Sequence, residues 1–169
     1  MQNNHIYYEK YKRKNHFTIM IIFDIINSQN SKGIIMSKRI FDKMYKLCSE
    51  IATNNKDLLA ITEQSQVGCC IVGESGKFYT GLNIGWWHSS CAEVTALSNA
   101  WIGGERKLKY VMAVKLYKRT NELISVTPCG ICREMFNQLH PEIKIVYFDD
   151  GKYVIKSMDE MLPSIDDEE

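Results

Sequence analysis

Pro128-Cys129-Gly130-Ile131-Cys132 combines a helix start with two cysteines three residues apart. Proline suits the first position of a helix, where its missing N–H is not needed, so Pro128 predicts a helix that runs to Leu139. Helical side chains lean toward the N-terminus, and Cys129 and Cys132 fall on one side of the first turn. The positive end of the helix dipole favours thiolate over thiol. The two sulfurs can therefore reach a metal ion beyond the helix end.

A second segment, Cys91-Ala92-Glu93, opens another helix, predicted over residues 91–101. If the two helix ends meet, Cys91, Cys129 and Cys132 bind one Zn²⁺ through three sulfurs and leave a fourth position open. A catalytic zinc keeps one coordination position open for water or substrate, whereas a structural zinc has protein ligands at all four. Glu93 is not needed as a ligand, and its carboxylate can take a proton from water and return it to a ring nitrogen or a departing amine. The pattern predicts a zinc-dependent hydrolytic enzyme with Glu93 as its catalytic group.

Helical and strand patterns follow one another along the rest of the chain. Residue spacing predicts a helix over 37–52, a helical turn over 159–162 and strands over 66–72, 78–84, 110–117, 144–148 and 153–156. This order indicates helices packed on a mixed β-sheet, which is an α/β fold. Trp101 is expected in the core because of its helical spacing. Cys48, Cys69 and Cys70 are expected to be buried and reduced, which suits a cytoplasmic location.

The composition narrows the class of protein further. A length of 169 residues with 45% apolar content fits one domain with a real core. A formal net charge of +1 provides no strong field for a nucleic-acid partner. The apolar run over 17–23 is too short to span a bilayer, so no membrane association is expected. We expect residues 1–35 to form a poorly ordered extension and 36–169 to form the zinc-dependent domain, with Met36 as an alternative start.

Five short stretches resemble a known family: residues 80–84 (TGLNI), 91–93 (CAE), 127–134 (TPCGICRE), 139–141 (LHP) and 162–164 (LPS). From about Val67 to the C-terminus the chain resembles the cytidine deaminase superfamily, and within it more closely the blasticidin S deaminases. The resemblance implies a three-layer α-β-α sandwich with a mixed five-stranded sheet, and a homotetramer with sites near subunit interfaces. It also implies that the domain over 36–169 is a deaminase that hydrolyses the C4 amino group of a cytosine-type nucleoside and releases ammonia.

Three positions depart from the cytidine deaminase pattern: Gly85, Val94 and Ile165, which stands near the place of the family's C-terminal aromatic residue. Asn83 is retained, but Gly85 stands where the family usually has a glutamate that binds ribose. Val94 stands where cytidine deaminases often have arginine, and blasticidin-type enzymes have an aliphatic residue there. These departures favour a blasticidin S-like nucleoside as substrate, while cytidine itself stays open. The expected substrate-binding residues are Asn83, Trp86, Trp87 and His88.

A charge argument adds Arg133 to the candidate site. Zinc with three thiolates has a net negative charge, which weakens its effect on a bound water compared with a neutral-ligand site. Arg133 follows Cys132 and is the nearest cation in the sequence, so it could offset that charge by donating N–H bonds to a ligand sulfur.

Two alternatives remain open at this point. His88 has the spacing from Cys91 that a fourth ligand would have, which would close the site as a structural Cys₃His zinc in a non-catalytic module. The chain could also be a polynucleotide cytosine deaminase, although near-zero net charge disfavours a nucleic-acid substrate because phosphate contacts need clustered lysine and arginine.

Overall fold

The computed structural model describes residues 37–58, 65–85 and 89–162. The chain divides into two compact units, Met1–Ile40 and Phe41–Glu169. Of the first unit, residues 37–40 are described and are helical. The predicted extension over 1–35 lies outside the described residues. No helix in the described ranges has both the length and the apolar character needed to cross a bilayer.

The second unit contains three α-helices and six strands among its described residues. In chain order these are α1 (41–54), β1 (Gln66–Gly73), β2 (Phe78–Leu82), α2 (Ala92–Ile102), β3 (Leu108–Leu116), β4 (Leu123–Val126), α3 (Gly130–Leu139), β5 (Lys144–Asp149) and β6 (Lys152–Lys156), with a 3₁₀ turn at Lys56–Leu58. The strands form one sheet in the order β2-β1-β3-β5-β6, and β4 also pairs with β3. Only the β3–β5 pair is parallel among them, so the sheet is mixed, and the predicted α/β fold is confirmed.

Within the described residues the sheet has six strands, where the family resemblance implied five. The additional strand is β4, which pairs antiparallel with the second half of β3, from Ala113 to Leu116. β5 pairs with the first half of β3, at Tyr110 and Val111. β4 has four residues, and its buried and exposed positions do not alternate. Regular alternation is the usual sequence signature of a strand. β4 was therefore not predicted.

Helices cover both faces of the sheet, as the α-β-α sandwich requires. On one face α1 lies so close to β1 that a Cβ at Gly68 would collide with the backbone carbonyl of Cys48. The Cys48 thiol also donates to the carbonyl of Met112 in β3, at 3.3 Å. On the other face, Ala96 of α2 and Phe136 of α3 belong to one buried cluster with residues of β1, β3 and β5. Burial of Cys48, Cys69 and Cys70 is confirmed, since all are 0% exposed.

Small residues set the position of α2. Gly81 in β2 lies directly under this helix, and a Cβ there would collide with the backbone of Ala92 and Ala96. The first turn of α2 can therefore rest on the sheet surface. The prediction for the other end of α2 is wrong, because Trp101 is 40% exposed. Its indole N–H donates to Nε2 of His140 at 3.2 Å instead of entering the core.

Candidate active site

Two of the three candidate cysteines are helix caps. Cys91 is the N-cap of α2 and Cys129 is the N-cap of α3. Their backbone carbonyls accept the first helical hydrogen bonds, from the N–H of Val94 at 3.1 Å and of Arg133 at 2.9 Å. The Cys91 side chain makes no capping hydrogen bond to its own helix, and its sulfur lies 3.6 Å from that of Cys129.

The structure brings the three cysteine sulfurs together. The Sγ atoms of Cys91, Cys129 and Cys132 all lie within 4.8 Å of one another, and those of Cys91 and Cys129 are 3.6 Å apart. Tetrahedral zinc with Zn–S bonds of about 2.3 Å separates its sulfur ligands by roughly 3.8 Å. Three thiolates are also soft ligands of the kind that zinc accepts. The spacing and the chemistry of the cluster therefore both fit one zinc ion.

The three thiols differ in their tendency to ionise. Burial raises the pKa of Cys91 and of Cys132, which is 0% exposed. Burial also acts to raise the pKa of Cys129, but hydrogen bonds from the Cys132 N–H and the neighbouring thiols outweigh it and lower that pKa. Among the three, Cys129 is the one whose pKa is lowered by a backbone N–H in the first turn of its helix. The other two need a cation beside them to become thiolates, and a bound divalent metal supplies one.

Glu93 lies in the first turn of α2 and faces the same space. Its side chain is buried, with 5% of the residue exposed. Burial raises the pKa of the Glu93 carboxyl, because a charged carboxylate loses hydration there. The carboxyl therefore accepts and holds a proton more readily than an exposed glutamate does.

A cavity of about 290 Å³ opens beside Glu93, Cys91 and Cys129. Its floor is the sheet surface just beyond the start of α2. There the register places Val67 of β1 opposite Lys115 of β3, and the N–H of Asn83 bonds to the Val67 carbonyl at 3.1 Å. The other lining residues are Ile84, Ser89, Ser90, Ala92, Val126 and Thr127. The volume is close to the lower end of typical small-ligand sites, which begins near 300 Å³.

Asn83 lines this cavity, but its amide is engaged with backbone. Its Oδ1 accepts from the Val67 N–H at 2.7 Å, and its Nδ2 donates to the Ser65 carbonyl at 3.1 Å. These bonds tie the end of β2 to the start of β1. One amide hydrogen of Asn83 remains for a ligand, so its predicted substrate contact stays a prediction. Trp86, Trp87 and His88 lie outside the described residues.

Arg133 lies beside the cysteine motif and donates three hydrogen bonds. Its Nε donates to the Pro128 carbonyl at 2.8 Å, and its two terminal nitrogens donate to the Met161 carbonyl and to Oγ1 of Thr127, both at 3.0 Å. These three acceptors are oxygen atoms and none is a ligand sulfur, so the predicted bond from Arg133 to a sulfur stays a prediction. Arg133 fixes the backbone immediately before Cys129 and joins it to the turn at Met161.

This arrangement predicts a structural effect for Arg133→Met, which keeps the aliphatic stem and removes the donors. We expect the free energy of unfolding to fall by about 1.5–3 kcal/mol, the range for a hydrogen-bonded charged group. Arg106→Met is the matched control, because Arg106 also donates to backbone carbonyls but is exposed. Denaturant unfolding of the two variants measures the difference. Equal falls in the free energy of unfolding would show that the three hydrogen bonds of Arg133 stabilise the fold no more than those of Arg106.

Lys115 and Thr127 line the cavity but were not among the site residues predicted from the sequence. Thr127 precedes the cysteine motif and both lines the cavity and accepts from Arg133. Lys115 lies on β3, far from any motif, and only the pairing of β3 with β1 places it at the cavity. No sequence pattern marked it, because a lysine in a strand usually faces solvent.

A mixed sheet between helices, with three thiols meeting at two helix N-termini, defines an α/β protein built to hold a soft divalent metal. The pattern of the cytidine and deoxycytidylate deaminase zinc-binding region matches residues 42–149. The chain belongs to this family, and zinc is its cofactor.

Individual relatives agree with the family match. The cytidine deaminase of Haemophilus influenzae (strain PittEE) is 34% identical over 84 residues, which are 47% of this chain and 25% of that protein. The cytidine deaminase of Aeromonas hydrophila is 37% identical over 78 residues, 43% of this chain and 23% of that protein. The chain thus spans about a quarter of the length of these curated relatives. The crystal structure of cytidine deaminase from Mycobacterium leprae superposes with a TM-score of 0.58 at 25% identity, over 73% of this chain and 98% of that one.

Proposed function

We propose that this chain catalyses the hydrolytic deamination of a cytosine-type nucleoside and releases ammonia. Cys91, Cys129 and Cys132 hold the zinc, and Glu93 moves the protons. The observation that supports this proposal most directly is the meeting of three cysteine sulfurs within 4.8 Å of one another beside a buried carboxyl group and a cavity of ligand size. Membership of a zinc-binding deaminase family gives the reaction type.

Each group has a defined part in this reaction. Bound zinc supplies a Lewis acid that makes water a stronger acid at the site. Glu93 takes up a proton from water and delivers it to a ring nitrogen, then takes the remaining proton of the new C4 hydroxyl group and gives it to the amine, which departs as ammonia while the C4 carbonyl forms. Its burial favours the protonated form in the interval between these transfers. The N-terminal N–H groups of α2 and α3 offset part of the negative charge of three thiolates.

The finer substrate assignment is a nucleoside like blasticidin S in preference to cytidine. Gly85 has no side chain for a ribose contact. The Oδ1 and Nδ2 atoms of Asn83 are already hydrogen-bonded to backbone. A missing hydrogen bond to ribose costs about 0.5–1.5 kcal/mol, which corresponds to roughly a 2- to 12-fold loss of efficiency on plain cytidine.

A substrate panel tests the proposal. Zinc-loaded protein is given cytidine, deoxycytidine, blasticidin S and single-stranded DNA, and ammonia release is measured for each. We expect turnover of free nucleosides, with blasticidin S ahead of cytidine. Turnover of DNA alone would replace this proposal with the polynucleotide deaminase, and efficient use of cytidine without blasticidin S would reverse the substrate order. Sedimentation of the same protein tests the tetramer that the family resemblance implies.

His88 distinguishes the open catalytic site from a closed Cys₃His site. We expect His88→Ala to retain about one zinc per chain, because three thiolates hold the metal and water takes the fourth position. Metal content by elemental analysis, after dialysis against a weak chelator, measures this. Gly85→Ala serves as a control for disturbance of the same segment. Loss of zinc in His88→Ala alone would identify a structural site.

A further inference from the structure

We infer that Lys115 makes this site select nucleosides whose sugar has a negatively charged group, either a carboxylate or a phosphate. The inference rests on the proposed function and specifies the substrate class further. The sheet register places Lys115 on the cavity floor, opposite Val67.

The cavity floor consists of two rows of residues paired across neighbouring strands, on the face of the sheet that α2 and α3 cover. In the first row Gly81, Cys69, Ala113 and Val126 are paired across four strands, and α2 rests on this row. Side chains alternate between faces along a strand, so the residues two positions further on lie on the same face. These are Asn83, Val67, Lys115 and Ile124, a second row that begins where the cover of α2 ends.

Charge in this cavity is divided between two places. Among the described lining residues, Lys115 is the one lysine or arginine and Glu93 is the one carboxylic acid. The other polar lining side chains near the floor, such as Asn83, Ser90 and Thr127, are neutral. The cysteine end of the cavity is therefore negative and the Lys115 position is positive, apart from any contribution of the undescribed residues 86–88.

Lys115 has no carboxylate partner among the described residues. Its recorded contact is with the ring of Tyr117, whose centroid lies 4.6 Å from the ammonium nitrogen. That contact places the ammonium over an aromatic face and leaves its hydrogen-bonding capacity unused. A structural lysine at a partly buried position would be expected to pair with an acid, whereas a ligand-binding lysine keeps its donors free.

The two charged positions orient a ligand. The reacting carbon must meet Glu93, so the base lies at the cysteine end and the sugar extends over the second row. Asn83 and Lys115 are two strands apart in this row, about 10 Å between backbones, a span that a sugar with one substituent can bridge. An anionic substituent is repelled by the carboxylate and thiolates and attracted by Lys115, which favours one productive orientation.

Kinetics of Lys115→Met test the inference, with Lys109→Met as the matched control. Lys109 is on the same strand and is exposed, outside the cavity lining. The substrates are cytidine, cytidine 5′-monophosphate and the 5′-carboxylate of cytidine. We expect Lys115→Met to lower kcat/KM on the favoured anionic substrate by about 10- to 100-fold, the range of a charge-assisted hydrogen bond. We expect changes below about 3-fold on cytidine, and Lys109→Met should leave all three values unchanged. The anionic substrate whose kcat/KM falls more in Lys115→Met shows whether phosphate or carboxylate is the recognised group.

A binding measurement separates failure of this inference from failure of the proposed function. Uridine and its 5′-phosphate and 5′-carboxylate lack the amino group, so calorimetry with them needs no turnover. Tighter binding of an anion than of uridine, lost in Lys115→Met and weakened by salt, supports the inference even if no cytosine nucleoside is deaminated. Equal binding of all three by the unaltered protein overturns it, as does an equal loss on cytidine and the anions in Lys115→Met.

Discussion

Glu93→Gln is expected to reduce turnover by at least 10²–10⁴-fold while the protein keeps its zinc. The range is that of a general acid–base group. Glutamine has the size and shape of glutamate but can neither accept a proton from water nor deliver one to the ring or the leaving amine. Because Glu93 is not one of the three residues that form the sulfur cluster, its replacement should leave metal binding intact.

The fold should also survive this substitution. Glu93 is 5% exposed, and burial raises the pKa of its carboxyl, so the folded state bears a cost whenever that group is ionised. A neutral amide removes the cost, and we expect no fall in the free energy of unfolding. Ammonia release at matched zinc content is the measurement. Glu134→Gln is the control, since Glu134 is an exposed residue of α3 that contacts Gln138. Normal turnover by Glu93→Gln would refute the assigned role.

The sequence predicted the parts of this molecule that local rules determine. The proline and the spacing of Cys129 and Cys132 placed those cysteines at a helix start, where the structure has them. The limits of β1 and α2 also agree within about two residues, because their apolar spacing is regular. Convergence of the two helix ends could be inferred from chemistry alone, since an isolated half-site would not bind zinc well.

Features that depend on distant partners were not predictable in the same way. Arg133 was placed near a sulfur because it follows Cys132, but its side chain is directed by the Met161 carbonyl, 28 residues further along the chain. β4 exists because half of β3 has a free edge, a property of the sheet and not of the four residues in β4. Lys115 gained its position at the cavity from strand register. Each of these outcomes is set by tertiary contacts that composition and periodicity do not contain.

Loss of any one cysteine ligand should release zinc and destabilise the second unit. The sulfur cluster joins the N-terminus of α2 to that of α3, and burial raises the pKa of the Cys91 and Cys132 thiols. A zinc ion that binds the folded chain and not the unfolded chain raises the free energy of unfolding by about 4 kcal/mol when the free zinc concentration exceeds the Kd by roughly 1,000-fold. That energy corresponds to roughly 10 °C or more in Tm for a unit of this size.

Cys129→Ala is the most informative of these variants. Cys129 is exposed, so its truncation creates no core cavity, and a fall in stability reports the metal instead of lost packing. The matched control is Cys70→Ala, a fully buried cysteine of β1 outside the cluster, which should lose some packing energy but retain zinc. Thermal unfolding is measured with and without a strong chelator. We expect the chelator to lower the Tm of the unaltered protein and of Cys70→Ala, but to leave Cys129→Ala unchanged because that variant has no zinc to lose. If Cys129→Ala kept a full zinc complement and the same response to chelator as the unaltered protein, Cys129 could not be a ligand and the three-sulfur site would be wrong.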